Sequence, residues 1–317
     1  MKITEHIQAA KGKTLFSFEL LPPVKGNSIQ SIYNAIDPLM DFNPPFIDVT
    51  YHREDYIYKQ HDNGLLEKVS YRKRPGTVAI CAAIMNRYKV DAVPHLICGG
   101  FTKEETENAL IDLQFLGIDN VLVLRGDARM ADSGFIPTPG GHAHATELLE
   151  QVVNMNSGKY LYEDHEVANT DFCIGVAGYP EKHFEAPNLK TDFKYLKQKV
   201  EMGANFIVTQ MFFDNNKYVE FVKLCRENGI TVPIIPGLKP ITSSKQLISL
   251  PKIFHIDIPE DLSDLINNCK SEKEVKEAGI EWMINQCKEL VAVGAPVLHF
   301  YTMSNPGPTR KIAEAIF

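Results

Sequence analysis

Eight short apolar runs rich in β-branched and aromatic residues recur along the chain, at 14–20, 46–51, 92–98, 120–124, 172–176, 206–210, 232–236 and 297–301. Each has the length of a strand buried on both faces and is too short for a helix. The stretches between them carry helical spacing. In 102–116, Ala109, Leu110, Leu113 and Leu116 recur at helical intervals, and Thr102 with Glu105 forms a capping box. The segment 192–202 is amphipathic and ends at Gly203, with Thr191 or Asp192 as its expected N-cap and Asn188 as an upstream alternative. Apolar strands alternating with helices predict a parallel sheet covered by helices. Eight such units in 317 residues favour an α/β fold of the (β/α)8 TIM barrel type over an open sheet.

An open dinucleotide-binding sheet loses its warrant at the first strand. FSFELLPPVKGNS follows no GxGxxG pattern, and Pro22 and Pro23 block the tight phosphate-binding turn. Residues 128–141, rich in glycine and proline, read as a long loop after the fourth strand. The region 249–287 reads as additional helices before the last strand, of which 272–286 is the clearest.

Composition narrows the partners. The formal charge of -7 is spread along the chain, and short basic patches such as 72–74 sit among acidic neighbours, so no nucleic acid is expected as a partner. No apolar segment reaches the roughly 20 residues needed to span a bilayer, and the first residues lack a signal-peptide core. No membrane association and a cytoplasmic location are the expectation. Cys81, Cys98, Cys173, Cys225, Cys269 and Cys287 form no CxxC pair and read mostly as small buried hydrophobes.

Polar groups at strand ends are the informative departure from the apolar pattern. Glu19 alternates with Phe18 and Leu20, so it can project into the mouth of a barrel and act there as a general acid. The alternative is a carboxylate paired with a basic neighbour. Thr50 ends the second run, His95 lies in the third, and Arg125, Gly126 and Asp127 follow the fourth. Arg125 offers a rigid fork to a phosphate or carbonyl, Gly126 permits close backbone approach, and Asp127 can accept from a heterocycle; a local turn pair is the plainer reading. His95 can bind a cofactor phosphate or satisfy a core carbonyl. Ala177, Tyr179 and His183 follow the fifth run, while Asp192 and Lys199 begin or line the next helix or lie on its solvated face. Gln210 closes the sixth run with one donor and one acceptor, suited to a planar amide-bearing ring or to a bond across the sheet. Asp214 is a candidate cap of the next helix, and Met211, Phe212 and Phe213 read as core or pocket wall. His142 and His144 have no third ligand at a diagnostic spacing, so no metal is expected. GxSxG, Walker A and HExxH patterns are missing, which argues against serine hydrolysis and nucleoside-triphosphate hydrolysis.

Taken in order, FSFELLPP, DVTY, PHLIC, VLRGD, VAGYPEKHFEA, TQMFFD, PGLKP and HFYTM resemble the methylenetetrahydrofolate reductases. Each motif is weak alone, but their order spans almost the whole chain. The resemblance implies that 1–317 is a single catalytic barrel domain of the compact bacterial type, holding FAD and without a regulatory domain. It implies reduction of 5,10-methylenetetrahydrofolate to 5-methyltetrahydrofolate with NADH or NADPH, by a ping-pong sequence in which the flavin takes hydride from the nicotinamide and then passes it to folate. By that likeness Glu19 is the acid that assists opening of the folate imidazolidine ring, and Asp127 lies near flavin and pterin. Thr50, His95, Leu124, Arg125, Gly126, Asp127, Ala145, Ala177, Tyr179, His183, Asp192 and Lys199 match positions that line FAD. Glu19, Asp127, Gln210, Gln246, Leu250, Tyr301 and Asn305 match the substrate pocket. A homo-oligomer is also implied.

Three departures from the family pattern matter. FYTMSNPGPTR stands where FYTLNR is common, so Asn305 occupies an arginine position that Arg310 would have to supply from further along. Leu250 stands where related bacterial enzymes carry a stacking phenylalanine. His142 and His144 replace aromatic and small residues, beside the adenine end of FAD or at the pocket rim. The departures leave two alternatives: an FAD-dependent NAD(P)H oxidoreductase with another pterin or a quinone as acceptor, and a non-catalytic folate-binding module.

Overall fold

The computed structural model describes residues 1–128, 134–162 and 167–317, with the backbone alone at 71 and 72. In chain order the elements are α1 (Ile3–Ala9), β1 (Leu15–Leu20), α2 (Gln30–Ile36) running into a 3-10 turn (Asp37–Phe42), and β2 (Phe46–Val49). Next come β3 (Asp55–Gln60), β4 (Leu66–Arg72), α3 (Thr77–Tyr88), β5 (Asp91–Ile97), α4 (Lys103–Phe115) and β6 (Asn120–Leu124). Then follow α5 (Ala145–Asn156), β7 (Cys173–Gly178), α6 (Leu189–Glu201), β8 (Phe206–Thr209) and α7 (Asn215–Glu227). The last are β9 (Ile234–Ile235), β10 (Gly237–Leu238), α8 (Gln246–Phe254), α9 (Glu260–Asn267), α10 (Glu272–Ala292), β11 (Val297–Tyr301) and α11 (Pro306–Ile316).

The main sheet is parallel throughout, in the order β10-β11-β1-β2-β5-β6-β7-β8-β9. Its two terminal strands are consecutive in sequence and separated by Pro236 alone. Pro236 has no N–H to donate, so the strand breaks there. The first half pairs with β8 through Ile207↔Ile234, and the second with β11 through Gly237↔His299. The Pro236 carbonyl still accepts from His299 N at 3.2 Å, and Gly237 N donates to Thr209 Oγ1 at 3.0 Å. Counted as one stave, β9 and β10 close the (β/α)8 barrel. The expected run at 232–236 therefore ends early and resumes past the proline.

Alternation divides the core in two. Phe16, Phe18, Leu20, Ile47 and Val49 belong to the large cluster that also takes in the helix faces. The residues between them face inward, and low in the barrel they are apolar: Phe46, Val93, Leu122, Cys173, Phe206, Val208, Ile235 and Val297 form one cluster with Ile3 of α1. The first helix, which hydrophobic periodicity did not reveal in so short a segment, plugs the N-terminal end of the barrel. It is fastened there by the Asn120 side chain, which accepts from Ile3 N and donates to the Met1 carbonyl, both at 2.8 Å.

Local signals mostly match the elements. Thr102 accepts from Glu105 N at 3.1 Å while Glu105 accepts from Thr102 N at 2.8 Å, completing the capping box of α4. The N-cap of α6 is Asn188, whose side chain accepts from Thr191 N at 2.9 Å, rather than Thr191 or Asp192; the helix thus starts at Leu189. Asp214 caps α7 through Asn216 N at 2.9 Å. The additional helices before the last strand are α8, α9 and α10, the last running on to Ala292. Antiparallel β3 and β4 form a hairpin outside the barrel that the apolar-run criterion passed over, because most of its side chains are exposed. Of the long loop expected at 128–141, positions 129–133 lie outside the described residues. The cysteines are free thiols, buried except for half-buried Cys269. Among the described residues no helix is long and apolar enough to cross a membrane.

Candidate active site

Above the apolar plug the barrel interior turns polar. The register sets Glu19 of β1 beside Asp48 of β2 on one side and Tyr301 of β11 on the other, with Ser17 beside His299 one level lower. Thr50 donates its hydroxyl to Glu19 and also to the Leu20 carbonyl. His95 of β5 is 3% exposed, and its Nε2 lies 3.4 Å from Asp48 Oδ2 and 3.7 Å from Glu19 Oε2. Burial alone would lower the His95 pKa, but the charge of Glu19 and the hydrogen bond and charge of Asp48 outweigh it, so the net shift is upward. His299 sits 2.8 Å from Ser17 Oγ through Nδ1, and burial holds its pKa below the ordinary value. Tyr301 donates its hydroxyl to the Thr209 carbonyl at 2.6 Å and is pushed well upward by burial, with the charges of Glu19 and Asp48 adding to that.

At the C-terminal ends of β6, β7 and β8 an open cleft is lined by Asp127, Tyr179, Glu181, His183, Gln210, Met211 and residues of the α8 end, among others. The Tyr179 ring meets His183 edge-on, and Phe184 stacks on His255 with ring centroids 4.1 Å apart. Arg125 pairs with Glu185, and its guanidinium lies 5.1 Å from the Phe135 ring. Gly126 has φ +84, and a Cβ there would press on Ile97 at 3.2 Å, so only glycine suits this turn. Beside the cleft, Asp192 accepts from His183 N at 3.0 Å. Lys199 donates to the Ala177 carbonyl at 2.7 Å, and burial pushes its ammonium down to about 8 against the upward pull of Asp192. Half-buried, Lys199 reaches back to β7 from its helix.

The remaining expected site residues are scattered in role. Leu124 ends β6 and Ala145 opens α5. Gln246 accepts from Thr242 N at 2.7 Å, bridging the turn that opens α8, and Gln210 accepts from its neighbour Met211 N at 2.9 Å. Leu250 is buried among Met211, Phe213, Ile241 and Ile256. Asn305 stands as the N-cap residue of α11. Arg310 does not turn toward the mouth; it pairs with Asp41 at 2.8 Å and Glu314 at 2.9 Å and donates to the Pro38 carbonyl on the outer wall. His142 is buried with Nε2 2.6 Å from Gln151 Oε1, whereas His144 is the exposed N-cap residue of α5.

A sequence model of the methylenetetrahydrofolate reductases matches residues 2–316. The chain belongs to the methylenetetrahydrofolate reductase family. The 5,10-methylenetetrahydrofolate reductase of Escherichia coli (strain K12) is 30% identical over 317 residues, covering 99% of this chain and 94% of that protein. A probable methylenetetrahydrofolate reductase (NADH) of Oryza sativa is 32% identical over 316 residues, covering 96% of this chain and 48% of that one. The chain spans about half the length of the rice, fission-yeast and Arabidopsis relatives it matches. Among solved structures, a Clostridium thermocellum protein described as binding two copies of 5-methyl-5,6,7,8-tetrahydrofolic acid superposes with a TM-score of 0.58 at 15% identity, over 99% of this chain and 98% of that one. An oxaloacetate acetylhydrolase superposes at 0.53 with 9% identity, over 98% of this chain and 82% of that one. At such identities the likeness is one of fold.

Within this methylenetetrahydrofolate reductase family member, sequence reasoning passed over Asp48, His299 and Glu181. The first two are polar residues inside otherwise apolar strands, the same signal that singled out Glu19. Glu181 accepts from Asp257 N at 2.9 Å, and desolvation raises its carboxyl to about 7. A native carboxyl that holds its proton more tightly than the unfolded chain does costs stability as pH rises between its ordinary value and about 7. Glu181→Gln, which keeps an acceptor for Asp257 N, should therefore flatten the fall of the melting temperature across that window. Parallel wild-type and variant curves would show that the carboxyl is not desolvated.

Proposed function

We propose that residues 1–317 act as one catalytic, FAD-binding barrel that reduces 5,10-methylenetetrahydrofolate to 5-methyltetrahydrofolate with NADH or NADPH. The observation that carries this reading is the family match over 2–316, in a barrel whose Glu19 lies inside the mouth beside Tyr301 while Asp127 and Gln210 line the adjoining cleft.

The chain's own chemistry fits a flavin dinucleotide. Lys199 is a half-buried cation bonded to a carbonyl, and among the described residues no carboxylate is within ion-pair distance of it, which suits an anionic pyrophosphate. The Gly126 turn, at φ +84, leads into Asp127, which lines the cleft. Thr50, His95, Leu124, Arg125, Gly126, Asp127, Ala145, Ala177, Tyr179, His183, Asp192 and Lys199 would hold the cofactor. FAD, when bound, supplies a two-electron carrier between nicotinamide and folate.

Glu19 gives its proton to the folate ring nitrogen that leaves as the imidazolidine ring opens, and ends as a carboxylate. Asp127, exposed at the cleft, accepts from the pterin N–H groups and orients the ring. Gln210 contributes an amide edge on the same side, within reach of either substrate in turn. Gln246, Leu250, Tyr301 and Asn305 complete the substrate pocket, with Leu250 acting through the packing of α8. A homo-oligomer is expected from the family likeness, and the dispersed charge argues against nucleic-acid partners.

The deciding experiment separates the half-reactions. Purified protein should be yellow, bleach anaerobically with NADH or NADPH, and regain its colour with methylenetetrahydrofolate. A flavin-loaded sample that reduces readily but passes no electrons to this folate would sink the substrate assignment.

A further inference from the structure

The two acidic groups inside the barrel mouth do not stand in equivalent positions. Asp48 and Glu19 are register partners on adjacent strands, and His95 turns one nitrogen, Nε2, toward both. Asp48 is 1% exposed, and its Oδ1 has no hydrogen-bond partner among the described residues. Glu19 is 14% exposed in its side chain and takes the Thr50 hydroxyl. The other titratable groups facing this cluster are His299 and Tyr301 from β11 and the buried thiol of Cys81 from α3. His299 is committed to Ser17, Tyr301 to the Thr209 carbonyl, and the pKa of Cys81 is raised, chiefly by burial. Cys81 and Tyr301 are acids and burial holds the His299 pKa below its ordinary value, so among the described residues His95, within ion-pair distance of both carboxylates, is the base best placed to balance their charge. A buried carboxylate without a nearby cation is costly, which makes a charged imidazole the arrangement the geometry favours.

We propose that Asp48 is a positioning residue for Glu19: it holds His95 as the imidazolium, with Nε2–H between the two carboxylates, so that Glu19 loses its proton beside a fixed positive charge. This rests on the reading of Glu19 as the proton donor in folate reduction. The Glu19 O–H bond breaks, the proton goes to the leaving folate nitrogen, and the new carboxylate is paired with His95 without any further proton movement. Asp48 never touches substrate. Its second oxygen, unpartnered in the barrel interior, is what a simple structural aspartate would be expected to satisfy.

The test begins with a readout that needs no turnover. Nitrogen-15 NMR of the histidine rings in the purified, cofactor-loaded protein should find His95 protonated at neutral pH. In Asp48→Asn its titration midpoint should fall by about one pH unit or more, a tenfold loss of proton affinity. A neutral His95 in the wild type at pH 7 overturns the proposal without recourse to any variant, as does an unmoved midpoint in Asp48→Asn. In rapid mixing, Asp48→Asn should slow flavin reoxidation by methylenetetrahydrofolate about tenfold or more and leave reduction by the nicotinamide unchanged; equal slowing of both halves marks a structural role and overturns it. If the wild type does not pass electrons to this folate, the assigned reaction fails, whereas the NMR result still decides whether Asp48 charges His95.

Discussion

Glu19→Gln will leave reduction of the flavin by NADH or NADPH within a few-fold of wild type and slow its reoxidation by methylenetetrahydrofolate about a hundredfold to ten-thousandfold. The asymmetry follows from what the amide keeps and loses. Glutamine has nearly the volume of glutamate and can still accept from Thr50, so the barrel mouth retains its packing. It has no acidic proton to give. Hydride delivery from a nicotinamide requires no proton from this position, whereas expulsion of the folate ring nitrogen does. Equal slowing of both half-reactions, measured by anaerobic stopped flow, would assign Glu19 to the architecture of the mouth instead.

Gly237→Ala will destabilise the protein by about 1–3 kcal/mol or more and disturb Tyr301. A Cβ at this position would overlap the Thr209 carbonyl and the Tyr301 hydroxyl, the two atoms joined by the hydrogen bond that ties β8 to β11. Gly237 also opens the short segment that completes the barrel after Pro236, so the chain has no slack to move aside. The overlap is with backbone as well as with a ring held at 2.6 Å, and neither is the flexible end of a side chain. Urea denaturation should show a lower midpoint with an unchanged slope, and the tyrosine environment should differ in the near-ultraviolet circular dichroism. A midpoint equal to wild type would mean that the closing stave is looser than the geometry implies.

Both predictions lean on features of unequal visibility in the sequence. Glu19 was visible because it interrupts an alternation: Phe16, Phe18 and Leu20 face one way, and a charge on the other face of so apolar a strand calls for an explanation. Asp48 in FIDV and His299 in VLHFY carry the same signal but lie in strands buried on both faces, where no alternation marks which side is the lumen. Gly237 carried no signal beyond its type, because its constraint comes from a carbonyl and a tyrosine, 28 and 64 positions away, that only barrel closure brings near. Lys199 read equally well as a solvated helix charge, since the carbonyl it reaches belongs to β7. Arg310, placed by sequence order close to an expected pocket arginine, went instead to Asp41 and Glu314 on the outer wall.

The sequence by itself determined the periodic alternation of strands and helices, the barrel class and the family, because these depend on local patterning and on motifs in order. The tertiary structure alone decided which inward residues share a level of the barrel, where the strand breaks at Pro236, and which charges lose their water. Those outcomes depend on register between strands distant in sequence and on burial by neighbours, and a one-residue change of register would turn every side chain of a strand to the opposite face.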